Sequence, residues 1–267
     1  MIRVGNQIIE FGKFADGTCH VNIDCSKLEP NAPIVWLYDN DAEWMQVWFL
    51  TQHCRDHEGY RRALLMPYCN SARQDRTVND DDVFTLKYFS QMVNALHFDR
   101  VEVFDAHSDV TAALLNHVHV LSPVPVVQKV LDKLPNIVLA FPDEGAMQRY
   151  RGQFPIPTIY GIKSRNWQTQ KVEKLILCGA TNEITGKDIL IIDDIIGKGS
   201  TIYYMAKQLK ELGANNIYVY ASHCENTVLQ PHINGKSLLD YDIITKIYTT
   251  NSIFRGSHPK IEIIKYF

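Results

Sequence analysis

Residues Ile189 to Thr201 read ILIIDDIIGKGST and run directly into an amphipathic segment, Ser200 to Leu212, that Gly213 closes. A short apolar run bounded by turn residues and followed by a helical period marks a buried strand feeding a helix. That pattern narrows the fold to parallel sheets with crossover helices, whose ligands bind at the carboxyl ends of the strands. The strand is expected to deliver Asp193 and Asp194 to that edge, and a loop of Gly197, Lys198 and Gly199 then leads to Ser200 and Thr201 at the helix start. Glycines let backbone N–H groups approach a phosphate, the helix start adds partial positive charge, and two hydroxyls add donors. Adjacent carboxylates repel phosphate unless they hold sugar hydroxyls or a metal ion, and that combination makes the segment informative. The plainer alternative is a strand-turn-helix with a solvated Asp pair and a capping serine.

The same alternation fills the rest of the chain. Strands are expected at Ala32 to Tyr38, Ala63 to Pro67, Val101 to Asp105, Ile137 to Pro142, Thr158 to Ile162, Leu175 to Cys178 and Ile217 to Ala221. Helices are expected at Asp41 to Cys54, Asp80 to Leu96, Pro125 to Leu134 and Glu144 to Tyr150. A chain of 267 residues exceeds the usual single-domain size. Pro123 and Pro125 interrupt both periodicities, which puts a junction there and gives two α/β domains, 1–123 and 124–267.

Composition excludes several classes. A net charge of -3 gives no global attraction for nucleic acid or an anionic membrane. No basic region followed by an apolar stretch opens the chain, and no apolar run is long enough to span a bilayer. Six cysteines without a C-x-x-C pair suit reduced thiols in a cytoplasm better than a zinc site or a disulfide framework. His53 and His57 at i, i+4, and His117 and His119 two apart, each offer half a metal site. With no third ligand at useful spacing, both pairs read as surface residues.

Further segments carry a resemblance. Met66 to Arg76 reads MPYCNSARQDR, Phe104 to Ser108 reads FDAHS, Phe141 to Arg149 reads FPDEGAMQR, and Lys163, Ser164 and Arg165 form a K-x-R. With the Asp193 to Thr201 segment, Phe14, Asp16 and Gly17, the run Asp39 to Asp41 and Thr249 to Ile253, these resemble the ribose-phosphate pyrophosphokinase family in order along nearly the whole chain. The resemblance implies two tandem type I phosphoribosyltransferase-like domains, the first binding ATP and the second ribose phosphate, with mainly parallel sheets and flanking helices. It implies magnesium-dependent transfer of the ATP β,γ-diphosphate to the C1 hydroxyl of ribose 5-phosphate, in a cytoplasmic homodimer or larger homo-oligomer, the host cytoplasm if the source is viral. It assigns catalysis to Lys163, Arg165 and His107, metal binding to His107 and Asp143, and ATP binding to Arg73 and Gln74. Phe14, Asp16 and Gly17 would reach an adjacent subunit's ATP site. Asp193, Asp194, Gly197, Lys198, Gly199, Ser200 and Thr201 would hold the ribose phosphate.

The chain also departs from that family. Thr18 replaces a Glu, Asp109 stands where Gln is favoured, and Gly197 to Thr201 replaces the usual Asp-Thr-Ala-Gly-Thr. Missing side chains at Gly197 and Gly199, with the cation of Lys198, would admit a bulkier 5-substituent. ADP-ribose, which divergent viral members are thought to use in NAD salvage, is therefore an alternative acceptor. The run Ile261 to Phe267 stands where typical members continue into a helix, so reduced allosteric nucleotide control is expected. A non-catalytic regulatory subunit and a phosphoribosyltransferase with its own nucleobase are the remaining readings. Retention of Lys163, Arg165 and His107 argues against the first, and the ARQDR segment against the second.

Overall fold

Strand-forming runs and amphipathic helices alternate into two α/β units, Met1–Ser122 and Pro123–Phe267, each with its own sheet. A computed structural model describes residues 1–29, 31–57, 63–165 and 172–267, with segments 163–165 and 172–174 described by backbone alone.

The first unit begins with β1 (Ile2–Val4) and β2 (Gln7–Ile9), an antiparallel hairpin, followed by the two-stranded ribbon β3 (Gly12–Lys13) and β4 (Cys19–His20). Then come β5 (Ile34–Trp36), α1 (Glu43–Arg55), β6 (Ala63–Leu65), α2 (Thr85–Asn94), β7 (Arg100–Phe104), α3 (Asp109–Leu114) and β8 (Val118–Leu121). The sheet runs β2-β1-β5-β6-β7-β8, with β5 to β8 parallel and β1 antiparallel to β5. α2 buries Leu86, Phe89, Ser90 and Val93, one face of a helix at i, i+3, i+4 and i+7. It starts at Thr85 rather than near Asp80, because the Asp82 carboxylate accepts from the N–H groups of Val78 and Asn79, both at 2.8 Å. That local turn competes with helix formation.

The second unit contains α4 (Val124–Leu131), β9 (Ile137–Phe141), α5 (Glu144–Tyr150), β10 (Thr158–Arg165), β11 (Val172–Gly179), β12 (Asp188–Ile196), α6 (Ser200–Glu211), β13 (Ile217–Cys224), β14 (Lys246–Thr250) and β15 (Ile261–Ile264). Its sheet runs β11-β10-β9-β12-β13-β14-β15 and is parallel except for the β10–β11 pair. The interior strand β9 is buried at every position, as expected for a sheet covered on both faces. α6 stops at Gly213, whose φ of +89° suits glycine. The N–H of Gly213 bonds the Lys210 carbonyl and that of Ala214 the Leu209 carbonyl, both at 3.0 Å, which satisfies the last open carbonyls of the helix. No helix among the described residues is long and apolar enough to cross a membrane.

Candidate functional site

In the second unit the aspartate pair lies inside β12 rather than at its end, which corrects the sequence expectation. Pairing with β9 stops at Ile191, opposite Ala140, whereas pairing with β13 continues to Ile196, opposite Cys224. Asp193 and Asp194 therefore emerge where one neighbour has ended and the other supports them. The following turn reaches α6 through Gly199, at φ +82°, and no side chain caps the helix start. First-turn N–H groups of a helix without such a cap are suited to an anion. Ser200 and Thr201 are half-buried at that start, and Lys198 is exposed.

The electrostatics are crowded. Asp194 is buried, its N–H donates to Asp193 Oδ1 at 3.0 Å, and its own carboxylate lies 3.1 Å from Arg149 Nη1. Burial pushes the Asp193 carboxyl well above the usual carboxylate range, and the neighbouring charges of Asp194 and Asp143 push it further. Asp143 caps α5, accepting from the Ala146 N–H at 3.0 Å. Arg149, on the last turn of the same helix, is the ion-pair partner of Asp194, and the sequence showed it only as the end of the FPDEGAMQR segment.

The glycine loop has a different physical basis from the one expected. A Cβ at Gly197 would lie 3.0 Å from Glu225 Oε2, and one at Gly199 would lie 2.7 Å from Leu238 Cδ2. The position a side chain would take at either glycine is bordered by protein atoms. Glu225 is held beside the loop by its N–H to the Ile196 carbonyl at 2.8 Å and by the Thr227 hydroxyl at 2.7 Å. Neither Glu225 nor Leu238 could be tied to the loop from sequence, because each approaches through space from a later segment.

In the first unit the carboxyl ends of β6 and β7 bring two separated motifs together. Asp75, buried within ARQDR, faces the His107 of FDAHS and pairs with Arg76 Nε at 2.9 Å. Burial pushes the Asp75 carboxyl up, but Arg76 foremost, then Ser108 and the charge of His107, more than offset this and hold it below the usual range. Arg76 is thus engaged by a carboxylate, while Arg73 and Gln74 are exposed. Asp105, buried just before His107, adopts φ +44°, an uncommon conformation for a non-glycine residue. Asp109 is exposed at the start of α3. The Asp39 to Asp41 run joins the same edge: Asp41 Oδ1 accepts from the Tyr38 hydroxyl at 3.0 Å and from Asn70 Nδ2 at 3.2 Å.

Phe14, Asp16 and Gly17 form the turn of the β3–β4 ribbon. Phe14 is exposed, Gly17 has φ +86°, and the Thr18 hydroxyl donates to Asp16 Oδ1 at 2.6 Å. The residue that departs from the family pattern therefore holds the ribbon's carboxylate inside its own turn. The backbone of Lys163 and Arg165 belongs to β10, opposite Leu175 and Val172 of β11, with a register shift between Ser164 and Arg165. Their side chains lie outside the described residues.

With this geometry in view, similarity to known proteins becomes specific. Residues 124–244 match the phosphoribosyl transferase domain model. A ribose-phosphate pyrophosphokinase of Thermococcus kodakarensis is 25% identical over 219 residues, 80% of this chain and 77% of the relative. One from Staphylococcus aureus is 27% identical over 269 residues, 94% and 81%. Over most of its length the chain is thus distantly similar to ribose-phosphate pyrophosphokinases. The fold agrees: the crystal structure of the phosphoribosylpyrophosphate synthetase from Mycobacterium smegmatis superimposes with a TM-score of 0.74 at 17% identity, covering 96% of this chain and 85% of that one. Two α/β units with mainly parallel sheets are the architecture shared with that structure.

Proposed function

We propose that this chain is a ribose-phosphate pyrophosphokinase, transferring the β,γ-diphosphate of ATP to the C1 hydroxyl of ribose 5-phosphate with release of AMP. The observation that carries the reading is the presence in one chain of two chemistries. One is a strand–loop–helix of phosphoribosyl type with an aspartate pair, Asp193 and Asp194. The other is the Asp75–Arg76–His107 cluster, which a phosphoribosyltransferase acting on a nucleobase would not need.

The carboxylates suit a magnesium ion, which prefers oxygen ligands, and the upward push on Asp193, from burial first and then from the charges of Asp194 and Asp143, is one that a cation or hydroxyl donors would relieve. Bound there, magnesium would neutralise the diphosphate oxygens. In this reading His107 of the first unit and Asp143 of the second are each metal-binding residues, and Arg73 and Gln74 hold ATP. Asp193 and Asp194 accept from ribose hydroxyls, while the α6 start with Ser200 and Thr201 donates to the 5-phosphate. Lys163 and Arg165 stabilise charge developing on the transferred diphosphate, and positioning supplies most of the remaining acceleration. Phe14, Asp16 and Gly17 act on an adjacent subunit's site, which makes a homo-oligomer the working form.

The test is AMP formation from ATP and magnesium with ribose 5-phosphate or ADP-ribose supplied separately. AMP release favouring ribose 5-phosphate supports the assignment. Preference for ADP-ribose would replace the acceptor, and no AMP with either would point to a non-catalytic subunit.

A further inference from the structure

A second group of ligand-type side chains in the first unit includes none of the residues assigned above. Cys25 opens a short 3-10 turn, Cys25–Lys27, while His53 is on the last turn of α1 and His57 lies just past its end. One potential ligand atom from each of the three side chains lies within 4.8 Å of the others. The sequence left the histidine pair without a third ligand, and the fold supplies one from a segment 28 residues upstream of His53.

Hydrogen bonding fixes how the imidazoles would bind. His53 Nε2 contacts the Ile23 carbonyl at 3.0 Å, and His57 Nδ1 contacts the His53 carbonyl at 2.8 Å. A carbonyl only accepts, so each of these nitrogens carries the hydrogen. The lone pairs are left on Nδ1 of His53 and Nε2 of His57. Donation to a backbone carbonyl from the non-ligating nitrogen is the arrangement that orients metal-bound histidines. The end of α1 also places partial negative charge where a cation would sit.

We propose that Cys25, His53 and His57 bind one divalent cation of the zinc type. One thiolate and two imidazoles are a borderline-soft set, which favours zinc over magnesium. Three protein ligands leave a fourth position to water. Tetrahedral zinc separates its N and S ligands by about 3.3–3.8 Å, so the three groups need to close by roughly 1 Å. The Cys25 thiol lies 3.6 Å from Cys54 Sγ, toward which it donates, and metal binding would release that proton. Bound metal would tie the segment after the β3–β4 ribbon to the end of α1.

The test uses the full chain, stripped with a chelator and kept reduced with a non-thiol reductant. Zinc is titrated calorimetrically, and cobalt(II) is followed by absorption. We expect one equivalent of zinc, a thiolate-to-cobalt charge-transfer band, and a rise in Tm with zinc concentration. Cys25→Ser should abolish the band, and His57→Ala should weaken zinc binding at least tenfold. His57 is exposed, so this second variant folds independently of any packing effect at Cys25. Absence of stoichiometric zinc binding, or zinc binding and a cobalt spectrum unchanged in Cys25→Ser, would overturn the proposal.

Discussion

Arg149 Nη1 lies 3.1 Å from Asp194 Oδ1, an ion pair in which the aspartate side chain is only 6% exposed and the arginine 24%. It sets a cation beside a group of three carboxylates, Asp143, Asp193 and Asp194, and the charges of Asp194 and Asp143 act on Asp193 in addition to its burial. The arrangement stores unfavourable charge where a ligand's cation or hydroxyls could relieve it, and it makes Arg149 a structural requirement.

Arg149→Ala should therefore cost about 3 kcal/mol, the lower end of the range for breaking a buried pair. Urea unfolding at neutral pH measures it, and a change below about 1 kcal/mol, the scale of an exposed pair, would show that the pair is effectively solvated.

Asp193 has a folded-state pKa above its unfolded value. The folded state binds the proton more tightly, so this group's contribution is fully present below the unfolded pKa and is lost as pH rises through the folded one. Asp193→Asn should be more stable than the parent at neutral pH, with the difference shrinking toward about pH 4, the ordinary carboxylate value. Unfolding midpoints for both proteins across a pH series read the effect. A difference independent of pH would remove the charge explanation.

Gly199 combines φ +82° with a Cβ position 2.7 Å from Leu238, whereas Gly186, at φ +71°, has nothing within 4 Å. Gly199→Ala should lose on the order of 2–4 kcal/mol from backbone strain plus overpacking, and Gly186→Ala on the order of 1–2 kcal/mol from strain alone. Equal losses would mean that Leu238 simply moves aside.

If AMP release is detected, Lys163→Ala should lower turnover by roughly a hundredfold to a thousandfold, the scale for removing one preorganised donor to developing charge. The AMP assay at saturating ATP and acceptor measures it. An unchanged rate would take Lys163 out of the mechanism.

Much of the fold was legible because it depends on local pattern. Continuous apolar runs marked β5, β9, β12 and β13, and the 3.6-residue period with Gly213 marked α6. The short edge elements β1, β2, β8 and α3 escaped, since three to six residues carry too little periodicity to separate strand or helix from loop. In the candidate site, the residue types and their order along the chain were readable. Their electrostatic surroundings were not: Asp75 sat inside a recognised segment without any sign that it would be buried and feel the charge of His107.

By itself the sequence determined the α/β class, the strand–loop–helix that presents Asp193 and Asp194, and the motif order shared with the pyrophosphokinases, because each is written in residues close together along the chain. Only the tertiary structure decided what fills the space beside Gly197 and Gly199, which cation faces Asp194, and that Cys25 joins His53 and His57. These are contacts between positions tens of residues apart or on different elements. They exist only after the sheets and helices have packed, and no local period encodes them.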